Sequence, residues 1–289
     1  MLIVLVLVWG ALWPVNKALL AYMPPIWSIA LRLIAGTAAL FAVSVLATGL
    51  VVPSQADAPV LISMVLLHMV GFTVLSTLAL QIVPAGQSAV LAYTSVLWAP
   101  LGAALFLGEK LPRWRAVGLG LGLLGLIVMF NPLAFDWSDR AAVAGNVALL
   151  AAAMLWAASI VHNRGHVWRA TPFQLAPWQG LLAAVILTGF ALLLEGRPVI
   201  AWNAHSIALL AFAGIPGTAL AYWAAAVSSS ELPAATTSLG LMGVPAVSVI
   251  VAMAMLGEEP TLPLIAALAL LLIGVCVGML GTRADRADH

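Results

Sequence analysis

Ten runs of about twenty mostly apolar residues, broken only by short connections, leave this chain one way to fold. A helix needs about 20 such residues to cross the hydrocarbon of a bilayer. Breaks at Pro, Gly and charge clusters place the runs at 2–21, 26–48, 59–83, 86–107, 113–131, 141–162, 173–194, 204–228, 233–256 and 262–281. Lipid offers no partner to backbone N–H and C=O groups, so each run must close its own hydrogen bonds as an α-helix. The longest connections, near GLVVPSQADAP and NPLAFDWSD, hold about ten residues and leave no room for a soluble domain. The reading is an all-α polytopic membrane protein with ten transmembrane helices.

Charge and cysteine content narrow the classes. Only 7% of residues are charged, against about 25% in a soluble domain. That cannot cover a water-facing surface. A net charge of +1 gives nucleic acid no basic face to bind. Cys276 is the single cysteine, so no intrachain disulfide forms, and it shows no metal spacing with the five histidines. No metal or cofactor is expected. The expected partners are the lipid bilayer and a small-molecule substrate, and one copy of the chain suffices. The first apolar run lacks the basic lead and small-residue cleavage site of a signal peptide, so it reads as the first span. With the N-terminus cytoplasmic, Lys110, Arg113, Arg115, Arg164, Arg169, Arg283 and Arg286 fall inside. Arg140 and Arg197 fall outside, with Lys17 and Arg32 flanking the first outer turn. This bias places both termini in the cytoplasm.

The sequence also repeats itself. WGALWPVNK (9–17) aligns with WAASIVHNR (156–164), pairing Trp9 with Trp156, Asn16 with Asn163 and Lys17 with Arg164. Pro25 pairs with Pro172 in the same register. Further on, VPAGQSAVLAY matches LPAATTSLGLM (Pro84-Ala85 with Pro233-Ala234), and LFLGEK matches AMLGEE. The chain therefore reads as a five-span repeat over 1–131, a connection over 132–140, and a second repeat with a short tail over 141–289. An odd number of spans inverts the second copy, the plan of many secondary transporters, whose site lies where the repeats meet.

Ten spans in two inverted halves, GEKL after span four, GEEPT after span nine, and the Gly-rich spans LGLGLLGLIVM and ALLLIGVCVGML resemble the drug/metabolite transporter superfamily, of the EamA-like type. Within it the chain looks most like bacterial exporters of amino acids, aromatic ones in particular. The resemblance implies a basket-like bundle in the bacterial inner membrane. Spans one, three, four, six, eight and nine would line a central cavity, with five and ten behind. One departure stands out. Pro245 lies thirteen residues before Glu258, but Pro100 only nine before Glu109. A kink at Pro100 would sit about one turn lower than its counterpart. Pro14, Pro100 and Pro245 are the candidate hinges.

At about 100° per residue, Trp9, Trp13 and Asn16 form one stripe on span one, and Trp156, Ser159 and Asn163 an equivalent stripe on span six. They are expected to face each other across the cavity, aromatics stacking on substrate and amides fixing its polar end. The alternative is an interfacial belt with interhelical amide bonds. Lys17, near the outer end, reads as an interface anchor. In span four Gln87, Ser88, Thr94, Ser95 and Trp98 share a face that avoids lipid. Tyr93 joins the expected site if Pro100 turns the helix. In span eight Thr218, Tyr222 and Ser229 line up. In span nine Thr236, Gly240 and Gly243 form a small-residue stripe suited to close packing. Arg32, whose repeat partner Gln179 is uncharged, reads as structural. His68 lies near the membrane centre, where an ionisable residue points to function. The expected site is Trp9, Trp13, Asn16, His68, Tyr93, Thr94, Trp98, Trp156, Asn163 and Tyr222.

No Asp or Glu falls inside a span. Transport is therefore expected either to run down a gradient or to couple to protons through His68. The predicted activity is alternating-access export of small amphipathic solutes, with amino acids, aromatic and hydrophobic ones included, as the expected substrates. Drug or cation export and nucleotide-sugar transport are the nearest alternatives. An intramembrane enzyme finds no His-Glu-x-x-His, Gly-x-Ser-x-Gly or paired carboxylates, and a channel finds no ring of repeated polar residues.

Overall fold

The computed structural model describes residues 1–47, 49–130, 136–232 and 234–287. Residue 131 at the end of the first predicted repeat, residues 132–135 of the predicted connection, and Pro233 lie outside the described residues, as do the side chains of Ser229, Arg283 and Arg286. Among the described residues ten helices are long and apolar enough to cross a membrane. They are α1 (Leu2–Leu19), α2 (Pro25–Ala47), α3 (Ala58–Leu80), α4 (Ala85–Leu107) and α5 (Arg113–Phe130). Then come α6 (Arg140–Gly165), α7 (Pro172–Leu194), α8 (Ala204–Gly214 continuing to Glu231), α9 (Ala234–Leu241 and Gly243–Leu256) and α10 (Leu262–Ala287). Every predicted span is present, with ends shifted by a few residues.

Four helices are irregular, and the irregularities fall at matching places. α3 widens to π-helical turns over Met64–Phe72, and α8 does so over Ile215–Leu220. The threonines explain part of this. Thr218 Oγ1 donates to the Ala213 carbonyl at 3.2 Å, and Thr73 Oγ1 donates to the carbonyls of Met69 and Val70. Hydroxyls that take helix carbonyls bend or loosen the ladder. α4 breaks at Tyr93–Thr94 and α9 at Met242. The α4 break precedes Pro100 by more than a turn, so the lower kink expected from that proline is not where the helix is interrupted. Instead Thr94 Oγ1 donates to the Leu91 carbonyl at 2.6 Å and accepts from Trp98 Nε1 at 3.2 Å.

Close packing is carried by small residues. α5 and α10 form the most extensive pairing, glycine on glycine: a Cβ on Gly118 would collide with the Gly274 carbonyl, and one on Gly274 with that of Gly118. α1 lies along α9, with Gly10 against Val247 and Gly240 and Gly243 against Leu2 and Val6. The glycines of the α9 stripe therefore pack on α1, and among the described residues α9 contributes none to the central cavity described below. α2, which was not expected to line the cavity, stands there in place of α9, held close to α8 by Gly36 against Thr218 and Gly214. α5 and α10 stand behind, as the resemblance implied.

Candidate functional site

A cavity of about 130 Å³ lies among α1, α2, α3, α4, α6 and α8. One wall is a chain of rings. Trp13 meets Phe72 edge-on with centroids 6.3 Å apart, Phe72 lies 5.2 Å from Trp156, and Tyr93 stands at 90° to Trp156 at 5.3 Å. His68 stacks on Trp156, 5.3 Å away and 7° from parallel. Trp9, Asn16, Thr73, Ser76, Thr77, Thr218, Tyr222 and Arg32 supply other walls. The π-helical turns bear directly on this. His68, Met69 and Phe72 come from the widened turns of α3, and Gly217 and Thr218 from those of α8. Such turns re-aim side chains and recur at functional sites.

Seven of the ten predicted residues therefore share one cavity: Trp9, Trp13, Asn16, His68, Tyr93, Trp156 and Tyr222. Three do not. Thr94 is fully buried in the α4 break, bonded to Leu91 and Trp98. Trp98 instead lines a separate groove between α4 and α6 with Phe106, Met154 and His162. Asn163 sits in the last turn of α6, beyond the cavity, with its Oδ1 unpartnered among the described residues. A straight-helix stripe from Trp156 overshoots the site. The polar face of α4 is mostly a helix contact: Ser88 and Ser95 are buried, and Gln87 donates to Asn146 Oδ1 on α6 at 2.9 Å.

Arg32 is the residue that sequence reasoning set aside. Its side chain lines the cavity at 9% exposure, and its Nε has no hydrogen-bond partner among the described residues. Among the described residues, no acidic side chain lines the cavity. Its charge inside a span was the available signal; the uncharged repeat partner Gln179 outweighed it.

The acids instead fasten the two ends of the bundle. At one end Lys17 Nζ donates to the Val83 carbonyl at 2.7 Å and lies 3.4 Å from Glu258 Oε1. Glu258 also accepts from the N–H groups of Ala85 (2.7 Å) and Gly86 (3.1 Å) at the start of α4. Glu195 does the same for α2, accepting from Ile26 and Trp27. Prolines precede both helices, and proline has no side chain to cap a helix start. At the other end Arg164 pairs with Glu109 at 3.4 Å. Asp57, fully buried, accepts from His166 Nε2 at 2.9 Å and from the N–H groups of Arg169 and Ala170. The His166 bond, with those N–H groups and Ser54, holds the Asp57 carboxyl down at about 2. The two ion pairs join the matched motif residues: Lys17 and Arg164 in one, Glu258 and Glu109 in the other. They differ in cover. Lys17 and Glu258 are 27% and 17% exposed, Arg164 and Glu109 48% and 41%.

The sequence pattern of the EamA-like transporter family matches residues 1–131 and 143–280. The chain belongs to the EamA-like transporter family. This EamA-like chain is thus a multi-pass membrane transporter of a small molecule. It is 25% identical to the uncharacterized transporter YoaV of Bacillus subtilis (strain 168), over 93% of this chain and 92% of the relative. It is 27% identical to a probable amino-acid metabolite efflux pump of Salmonella typhimurium, over 98% and 95%. A shorter match, 32% identical over 39% of this chain and 36% of the relative, is to a riboflavin transporter of Rhizobium johnstonii. A solved crystal structure shares the fold, with a TM-score of 0.68, 22% identity and coverage of 96% and 98%.

Proposed function

We propose that this EamA-like transporter exports small amphipathic solutes, amino acids with aromatic or hydrophobic side chains among them, by alternating access. The observation that carries the reading is an aromatic cavity at the bundle centre with no acidic wall residue. Trp13, Phe72, Trp156 and Tyr93 offer faces and edges to an apolar side chain and to an ammonium group. A cationic drug would favour a buried acid, and there is none in the wall. The relative named a probable amino-acid metabolite efflux pump supports the substrate class.

Two inverted halves, 1–131 and 141–289, rock about the cavity in this reading. The fastenings support it. At the Lys17 end, acids of the second half (Glu195 and Glu258) grip helix starts of the first. At the Arg164 end, acids of the first half (Asp57 and Glu109) grip the second. Each mouth opens when its own set is released. In this reading both termini are cytoplasmic, which the distribution of Lys and Arg supports, and the Lys17 end faces outside.

The test is transport by the purified chain in proteoliposomes, with labelled amino acids, nucleotide sugars and organic cations, with and without a pH gradient. Movement of hydrophobic amino acids is expected. Movement of nucleotide sugars or cations alone overturns the reading.

A further inference from the structure

We infer that Arg32 is the anchor for a substrate carboxylate, so that the site selects molecules carrying a carboxylate next to an apolar group. This rests on the proposed export of amphipathic solutes and names what the cavity recognises in them.

The argument begins with an imbalance of charge. A guanidinium stays protonated at any physiological pH. Removed from water, it is costly unless paired and hydrogen-bonded. Lys17 has Glu258 and Arg164 has Glu109. Arg32 is more buried than either, yet among the described residues its Nε is unpartnered and the cavity wall contains no acid. The missing counter-charge therefore has to come with whatever enters the cavity.

Position supports the same conclusion. The backbone of α2 is pinned on α8 around this residue: a Cβ on Gly214 would come within 3.1 Å of the Arg32 carbonyl, and Gly36, one turn on, abuts Thr218 and Gly214. The base of the Arg32 side chain is thus fixed before substrate arrives. Thr218 and Tyr222 on α8 and Asn16 on α1 bring neutral hydroxyls and an amide to the same cavity. A guanidinium fork donates to both oxygens of a carboxylate at once. The ring chain from Trp13 to Tyr93 is then free for the apolar part of the molecule. An ammonium group needs no acid here, since ring faces attract it.

The purified chain is tested by thermal stabilisation with matched ligand pairs: 3-phenylpropionate against its amide, and phenylalanine against phenethylamine and phenylalaninamide. The carboxylate member of each pair is expected to bind at least about tenfold more tightly, as a charge-assisted bidentate contact implies. Arg32→Gln should remove that preference and Arg32→Lys should keep part of it. Equal binding of carboxylates and amides by the unaltered chain overturns the inference, whether or not the Gln variant folds. So does a preference that survives in a folded Arg32→Gln protein. Proteoliposome transport separates the two proposals. Carboxylate preference without amino-acid transport leaves Arg32 standing and refutes the amino-acid reading. Amino-acid transport with amides and amines bound equally well does the reverse.

Discussion

Glu258 offers the sharpest test of how the Lys17 end is kept shut. In Glu258→Gln the side chain keeps one acceptor oxygen and loses its charge. One of the two bonds to Ala85 and Gly86 goes, and with it the ion pair to Lys17. A helix cap is worth about 1 kcal/mol. A negative charge at a helix start contributes about 0.3–1 kcal/mol, and an ion pair this exposed at most about 1 kcal/mol. Together they favour the closed Lys17 end by about 2 kcal/mol, a factor of roughly 30 in the opening equilibrium. Glu109→Gln removes only the more exposed pair with Arg164, about 0.5 kcal/mol or a factor of roughly two. The readout is a single cavity cysteine, Thr77→Cys in a Cys276→Ser background, labelled by a membrane-impermeant maleimide from either face. Labelling from the Lys17 face should rise at least about tenfold in Glu258→Gln and change little in Glu109→Gln. If Glu258→Gln stays within twofold of the parent while Glu109→Gln moves tenfold, the Lys17 fastening is not what holds that end.

Other outcomes follow from single contacts. Asp57 titrates near 2 because His166, the N–H groups of Arg169 and Ala170, and Ser54 favour its charged form. Its stabilising effect is therefore complete above the ordinary carboxylate value of about 4 and disappears as pH falls toward 2. Thermal stability in detergent should drop across that window, and Asp57→Asn should start lower at pH 7 and show a smaller drop. Gly118→Ala drives a methyl into the Gly274 carbonyl, whereas Gly120→Ala meets open space. The first should cost at least about 1–3 kcal/mol and the second should be neutral or stabilising by up to about 1 kcal/mol, read as thermal midpoints. Alanine at Trp9, Trp13 or Trp156 should weaken amino-acid transport at least about tenfold through lost ring contacts, while Trp98→Ala, outside the cavity, should retain it. Any accumulation driven by an imposed pH gradient should vanish in His68→Ala.

The spans were plain in the sequence because lipid imposes a length and forbids charge, and both are visible without a structure. The site was legible as far as helices run straight. Trp9, Trp13 and Asn16 lie on an unbroken part of α1, and projection at a fixed angle finds them. It loses its phase in α3 and α8, where π-helical turns alter the angle per residue, so Phe72, Thr77 and Gly217 had no sequence signature. Tyr93 enters the cavity at a break fixed by a threonine hydroxyl, while the visible proline lies elsewhere. Asn163 was carried too far by the same projection. Lys17 was legible as a residue near a helix end. Its contact with Glu258 joins positions 241 residues apart, and only the fold brings them together.

The crossed capping of α2 and α4 has a consequence for how the protein is made. Ile26, Trp27, Ala85 and Gly86 present their N–H groups to carboxylates that lie 168 to 173 residues further along the chain. As the polypeptide leaves the ribosome, the first five helices enter the membrane with these amides still facing water or lipid headgroups. They wait until Glu195 and then Glu258 have been synthesised. A nascent chain halted after α5 would have no acid for these starts. The partner for the start of α2 is thus synthesised before the partner for the start of α4, so the α2–α7 contact becomes available first.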